Sequence, residues 1–260
     1  MNHPNLWAVI CAHNEEETIE GVVRNMLEIG WPLVVVDNAS SDGTSDVLAP
    51  YQRRITLLQE PRLGKAYALK SGFDYVLKSG AERVLTMDGD GEHKSDEMEK
   101  LANAHYDGGG VPITIANRFP DIKDRSPKDV IISERIGELT GSYPADPRSG
   151  GRVYDRRVLE RLLPSTVAQN YGLDVELCYL ALQEGLPIQF CDIDYSKARE
   201  RVLVNGDGPE HGCLNGELLD LYRVFGRGDI AKGKSIVNAH DVLHGEFHNG
   251  DEYFGHDPSE

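Results

Sequence analysis

The stretch Arg83-Val-Leu-Thr-Met-Asp-Gly-Asp-Gly-Glu-His93 contains the pattern that decides the fold: an apolar run stops abruptly at a cluster of carboxylates and glycines. Apolar runs that do not alternate with polar residues read as strands of a parallel sheet, buried on both faces. The pattern occurs twice upstream. Leu6-Trp-Ala-Val-Ile-Cys11 runs into Ala12-His-Asn-Glu-Glu16, and Leu33-Val-Val-Val36 runs into Asp37-Asn-Ala-Ser-Ser-Asp-Gly-Thr44. Helix signals lie between the strands. Asn14 precedes Glu15, Glu16 and Glu17, acids suited to a first turn; Ile19, Val22, Val23 and Met26 follow at helical spacing, and Gly30 closes the helix. A short helix to Leu48, a strand over 54–58, a helix from Lys65 to Gly80 and another over 95–105 continue the alternation. This predicts an α/β chain with a mostly parallel, Rossmann-like sheet and helices on both faces. Ligands of such sheets bind at the carboxyl ends of the strands. The polar clusters starting at Ala12, Asp37 and Asp88 are therefore expected to meet on one edge.

The second half is less regular. A strand over 111–116 ends at Asn117-Arg118, and helices are expected over 130–139, 158–163 and 174–183. A polar turn covers 146–151, a strand 188–193, and an amphipathic helix 214–225. The expected organisation is a catalytic unit over 1–200, a helical extension over 201–234 and an acidic, histidine-containing tail over 235–260, poorly ordered unless docked.

Composition narrows the function. The 260 residues are 40% hydrophobic, and 43 acidic against 27 basic side chains give a net charge of −16. That balance argues against a bare nucleic-acid binder and against a polybasic membrane-surface protein. The longest apolar run, residues 6–12, is far short of a span of ~20 residues, and there is no secretory signal. The expected location is cytoplasmic, or peripheral at a membrane. Cys11, Cys178, Cys191 and Cys213 lack CxxC spacing and read as reduced thiols.

Asp88, Asp90 and Glu92 present three hard oxygen ligands at alternate positions, which suits Mg2+ or Mn2+ held by carboxylates together with substrate phosphates. The other readings are a solvated acidic turn and the start of an EF-hand loop, whose downstream acid is missing. His240, His244 and His248 recur every fourth residue, as a metal site on a helix or as a solvated tail. Asp192 and Asp194 read as exposed partners of basic side chains.

Four segments in this order, Val9-Ile-Cys-Ala-His-Asn-Glu-Glu16, Val35-Val-Asp-Asn-Ala-Ser-Ser-Asp-Gly-Thr44, Gly64-Lys-Ala-Tyr-Ala-Leu69 and Met87-Asp-Gly-Asp-Gly-Glu-His93, resemble the family 2 glycosyltransferases of the GT-A fold. Within that family the chain is similar to dolichyl- or polyprenyl-phosphate mannose or glucose synthases. Ala116-Asn-Arg-Phe119, Asp146-Pro-Arg-Ser-Gly-Gly-Arg-Val-Tyr154 and Tyr171-Gly-Leu-Asp-Val-Glu-Leu177 extend the resemblance over roughly residues 6–200.

The resemblance implies a nucleotide-sugar site. Ala12, His13, Glu15 and Asp37 would meet the base and ribose, and Lys65 and Gly89 the phosphates. Asp88, Asp90 and Glu92 would hold the divalent ion. Arg118 and Arg135 would offset charge on the leaving diphosphate, since guanidinium binds phosphate bidentately. Asp174, then Asp146, are the candidate bases; Asp174 also reads as a plain helix N-terminal acid. Glu176 is expected to orient its surroundings. Lys197, Arg199 and Arg201 would bind the acceptor phosphate, or form a solvated basic turn. His13 replaces the family's usual Tyr, Asn38 its second Asp, and Gly151 an aromatic.

The implied function is metal-dependent, inverting transfer of a hexose from a GDP-mannose or UDP-glucose type donor to polyprenyl phosphate. A soluble hydroxyl acceptor, with Asp174 as base, is the alternative, as is a nucleotide-sugar-binding protein without turnover. A membrane-anchored partner would be one way to bring the acceptor within reach. The first strand-helix turn has no GxGxxG, which argues against a dinucleotide oxidoreductase.

Overall fold

A computed structural model describes residues 3–195 and 223–225. The chain alternates β1 (Leu6–Ala12), α1 (Ile19–Ile29), β2 (Leu33–Asn38), α2 (Thr44–Leu48), β3 (Thr56–Glu60), α3 (Lys65–Lys78), β4 (Arg83–Asp88), α4 (Ser95–Asp107) and β5 (Ile113–Asn117). It continues with α5 (Pro127–Thr140), β6 (Arg152–Asp155), α6 (Arg156–Leu162), α7 (Leu173–Gln183) and β7 (Ile188–Asp192). The seven strands form one sheet in the order β3-β2-β1-β4-β6-β5-β7. All pairings are parallel except those of β6, which runs antiparallel to β4 and β5.

Helices cover both faces, and the pleat sorts the core accordingly. Val9, Val34, Val36 and Val84 point to the face covered by α3, α6 and α7. Ala8, Ile10, Val35 and Leu85 point to the face covered by α1, α2 and α4. A third cluster joins Ile132, Ile136, Val175 and Tyr179 to Val224, so the short helical piece 223–225 docks on α5 and α7. The close approach of α3 to the sheet depends on Gly72. A Cβ there would lie 2.5 Å from Val9 Cγ1.

Two expectations are corrected. The first helix starts at Ile19 after Thr18, and Glu15–Glu17 lie in the preceding loop. Asn14 adopts φ 56°, a left-handed conformation Asn tolerates, which ends the strand instead of opening the helix. The antiparallel strand β6 was not anticipated, because four residues are too few to show a period. Of the helix expected over 214–225, only 223–225 lie within the described residues. The rest of the 201–234 extension, the 235–260 tail, Cys213, Lys197, Arg199, Arg201, His240, His244 and His248 lie outside them.

Candidate active site

The parallel register brings the three polar strand ends together as expected. Cys11 pairs with Asp88 and Ala12 with Asp37 across neighbouring strands. Above them opens a cavity of about 1320 Å3, whose wall includes Ala12, His13, Glu15, Lys65, Asp88, Gly89, Asp90, Glu92 and Arg118. Most residues assigned to donor and metal thus share one cavity. A Cβ on Gly89 would crowd the Cys11 carbonyl (3.0 Å) and Ala12 (3.2 Å), so this turn follows the β1 backbone closely.

On the β2 side the loops are fixed by side-chain bonds to backbone. Asp37 is buried and accepts from Ser40 N–H (3.2 Å) and the Ser45 hydroxyl, so it shapes its own loop and is absent from the cavity wall. Asn38 donates its amide to the carbonyls of Glu60 (3.3 Å) and Arg62 (2.7 Å) and accepts from Gly64 N–H (2.9 Å). An aspartate could not make the two donations, which explains Asn at this position. The Asn38 carbonyl lies 2.6 Å from His13 Nδ1. The contact is to the backbone of residue 38, so the β2 end holds the His13 ring.

Beneath the cavity runs a chain of charges. Lys65, the first residue of α3, places Nζ 2.6 Å from Asp88 Oδ1 and 3.0 Å from Asp174 Oδ2. Burial disfavours its ammonium, but Asp174 and Asp88 outweigh this and lift its pKa. Asp174 also faces Arg152 Nε at 3.5 Å. Arg152 is fully buried and donates to the carbonyls of Ser149 (2.7 Å), Pro147 (2.6 Å) and Asp174 (2.7 Å). Such a cage is how a buried guanidinium stays ionised. It fixes the 146–151 turn to the first turn of α7.

Asp90 and Asp88 bear on the metal question. Burial, then the charge of Asp88, pushes Asp90 up to about 6. Asp88 moves the other way: burial opposes its charge, but Lys65 together with His93 and with the neighbouring cation Arg118 outweighs burial. A pair of desolvated, mutually repelling carboxylates suits a divalent ion, which needs only one or two carboxylates plus substrate phosphates. The donor set therefore fits, with Asp88 and Asp90 as its core. The three-carboxylate arrangement is not formed, since Glu92 accepts instead from the Tyr195 hydroxyl. Among the described residues no group of three or more His, Cys, Asp or Glu side chains is arranged to hold a metal.

The opposite wall is basic. Arg118 binds Asp146 bidentately (2.8 and 2.9 Å). Burial opposes its charge, and Asp146, with Asp129 and Asp88, more than restores it. Arg148 lines the cavity and holds Asp129 at 2.9 Å. Arg148 was missed by the sequence reading because nothing local distinguishes it within the 146–151 turn. Arg135 was assigned here but is absent from the cavity wall; it pairs with Glu138 (2.7 Å) on its own helix. Asp146 and Asp174 are also absent from the wall, at 1% and 3% exposure, each held by cations. Glu176 accepts from the Val167 (2.8 Å) and Ala168 (2.9 Å) N–H groups, an orienting role as expected. Asp194 pairs with Lys94 (2.7 Å), while Asp192 accepts from Asn117 (2.6 Å), not from a basic residue.

Two glycines let this wall approach the metal loop. A Cβ on Gly150 would collide with the Asp88 carboxylate, and one on Gly151 would lie 3.1 Å from His93 Cδ2 and 3.2 Å from Nε2. His93 was quoted in the motif but given no role. It is 4% exposed, lines the cavity, and has no hydrogen-bond partner for either ring nitrogen among the described residues. Leaving such a group unpaired costs about 1–3 kcal/mol. Burial pushes the Cys178 thiol up to about 11 and raises those of Cys11 and Cys191, which disfavours their thiolates.

Comparison with known proteins agrees with this architecture. The sequence model of glycosyl transferase family 2 matches residues 7–163. The UDP-N-acetylglucosamine–dolichyl-phosphate N-acetylglucosaminyltransferase of Methanococcus voltae is 23% identical over 75% of this chain and 88% of its own. The polyprenol monophosphomannose synthase of Mycolicibacterium smegmatis is 25% identical over 73% of this chain and 76% of its own. Glucosyl-3-phosphoglycerate synthase from Mycobacterium tuberculosis, solved with Mn2+, uridine diphosphate and phosphoglyceric acid, superposes with TM-score 0.66 at 21% identity, covering 85% of this chain and 78% of its own. The fold is GT-A, and the chain belongs to glycosyl transferase family 2: it is a glycosyltransferase.

Proposed function

We propose that this enzyme moves a hexosyl group from a nucleoside-diphosphate sugar to the phosphate of a polyprenyl phosphate, with a divalent ion at Asp88 and Asp90. One observation carries the choice of acceptor. Both carboxylates that the resemblance names as base for a hydroxyl are engaged by cations, Asp174 by Lys65 and Arg152, and Asp146 by Arg118. A hydroxyl acceptor needs a free base. A phosphate monoester has its second pKa near ~6 and is already a nucleophile at neutral pH. The activities of the dolichyl-phosphate and polyprenol relatives, as their names give them, support the same reading.

In this reading the acceptor phosphate oxygen bonds to the anomeric carbon, and the bond from that carbon to the diphosphate oxygen breaks. The nucleoside diphosphate leaves with the electron pair, and the anomeric configuration inverts. The ion supplies Lewis-acid stabilisation of the leaving oxygen. Lys65, at the N-terminus of α3, and Arg118 meet the charge that develops there. Ala12, His13 and Glu15 hold the nucleoside. The catalytic unit spans residues 1–200, and Lys197, Arg199 and Arg201 assist acceptor binding at the cytoplasmic face of a membrane. No helix among the described residues is long and apolar enough to cross a bilayer; in this reading the lipid acceptor is met at the membrane surface or through a partner.

The test is transfer from GDP-mannose or UDP-glucose to farnesyl phosphate with Mn2+, measured as radiolabel extracted into organic solvent. Asp90→Ala is expected to lower turnover about 100-fold or more, and Asp174→Asn, checked for folding by circular dichroism, by less than about tenfold. Transfer to a soluble hydroxyl acceptor alone, abolished by Asp174→Asn, would overturn the proposal in favour of base catalysis.

A further inference from the structure

His93 faces the cavity from the floor between the metal loop and the basic wall. Three independent observations bear on it. The ring is buried yet unpartnered among the described residues. Its place is held from both sides, by the missing side chain of Gly151 and by an edge-on contact with Tyr195 (centroids 5.6 Å, planes at 65°). Arg118 stacks over the same Tyr195 ring, with its guanidinium carbon 5.4 Å from the centroid. The ring is therefore fixed in orientation beside a cation and left one hydrogen bond short on each nitrogen.

We infer that His93 is an acceptor-positioning residue, donating one ring N–H to a non-bridging oxygen of a phosphate monoester that Arg118 also engages. This rests on the acceptor reading above and adds to it a residue and a contact. An anion is the ligand class that satisfies the site. Arg118 and Arg148 line the same cavity as the ring, and the charges that bear on the ring are those of Asp88, Arg118, Lys65 and Asp146. Imidazole in either tautomer has one N–H to give. A phosphate oxygen placed there would accept from the ring N–H of His93 and satisfy one of its two unpartnered nitrogens. Gly151, where the family's usual residue is aromatic, lets the ring pack close against the backbone of the turn.

The shared chemistry is a phosphate monoester, whether on a lipid or on a small soluble molecule. Binding is measured by calorimetry on the full chain with Mn2+ and GDP or UDP present, using farnesyl phosphate and phenyl phosphate as separate probes. His93→Phe keeps the ring's bulk and removes its donor; His93→Gln restores a donor. Expected is weakening of both probes by tenfold or more in His93→Phe, partial recovery in His93→Gln, and unchanged Mn2+ and nucleotide affinity. In turnover the loss is expected in the KM for acceptor, not in the KM for donor. If only farnesyl phosphate weakens, the contact belongs to a lipid-specific site. Equal binding of both probes by His93→Phe and wild type overturns the inference while leaving the acceptor proposal intact. Failure of the wild type to bind either probe overturns both. Chemical shifts of 15N-labelled His93, assigned from their loss in His93→Gln, are expected to move on adding phenyl phosphate; static shifts would count against the contact.

Discussion

At the scale of single residues, function depends on where hydrogen-bond capacity is used and where it is left over. Asn38 uses both of its N–H donors and its carbonyl oxygen, bonding two carbonyls and one N–H around the β2 end. Asn38→Asp keeps the shape but turns the donor into an acceptor facing two carbonyls. It is expected to lower stability by about 1–3 kcal/mol in urea denaturation, and to loosen the loop that carries His13. Asp90 represents the opposite case, a carboxylate held near pKa 6 by burial and by Asp88. Its folded-state pKa lies above the ordinary 3.8, so the metal-free protein binds a proton there as the pH falls through about 6. A divalent ion must displace that proton. Mn2+ affinity is therefore expected to drop by up to about tenfold per pH unit below about 6. Calorimetry at pH 5 in buffers of different ionisation enthalpy should show about one proton released per ion, and close to none at pH 7.5.

At the scale of elements, α3 does the most positioning. It starts at Lys65, beneath the cavity, and lies flat on β1 and β2 because Gly72 leaves room for Val9. Gly72→Val would drive a branched side chain into Val9 and Val36, both fully buried. The expected loss is about 1–3 kcal/mol of stability, with weaker nucleotide-sugar binding in thermal-shift titrations because Lys65 is lifted away from Asp88. β6 matters as much, although it is only four residues long. Being antiparallel, it begins at the functional edge, so Gly150, Gly151 and Arg152 arrive beside Asp88 and Asp174. A parallel strand in that slot would have put its N-terminus at the opposite edge.

At the scale of the whole molecule, charge is distributed by purpose. The net −16 divides into −6 over residues 235–260 and −10 over the remaining 234. The cavity is lined both by acids, which a cation would offset, and by the cations Lys65, Lys94, Arg118 and Arg148, which would meet a diphosphate. Long-range repulsion from an anionic membrane acts on the sum. Ending the chain at residue 234 is expected to increase co-sedimentation with phosphatidylserine vesicles at low salt and to leave binding to neutral phosphatidylcholine vesicles unchanged. The difference should fade at about 0.5 M salt, where screening shortens the reach of charge to a few ångströms.

The sequence by itself determined the layered α/β architecture, the convergence of the strand ends at Ala12, Asp37 and Asp88, and the family. Each follows from local patterning, because a buried parallel strand must be apolar throughout and must end in polar residues at the ligand edge. Only the tertiary structure decided which polar residues face the cavity. Asp37, Asp146 and Asp174 carry the expected chemistry in sequence, yet each is turned inward by partners far along the chain or across a loop. Arg135 turned to its own helix, while Arg148 and His93 entered the cavity. The physical reason is that a carboxylate or guanidinium takes its role from its nearest opposite charge. Those partners were set by sheet register and by the reversed strand β6, neither of which a local pattern encodes.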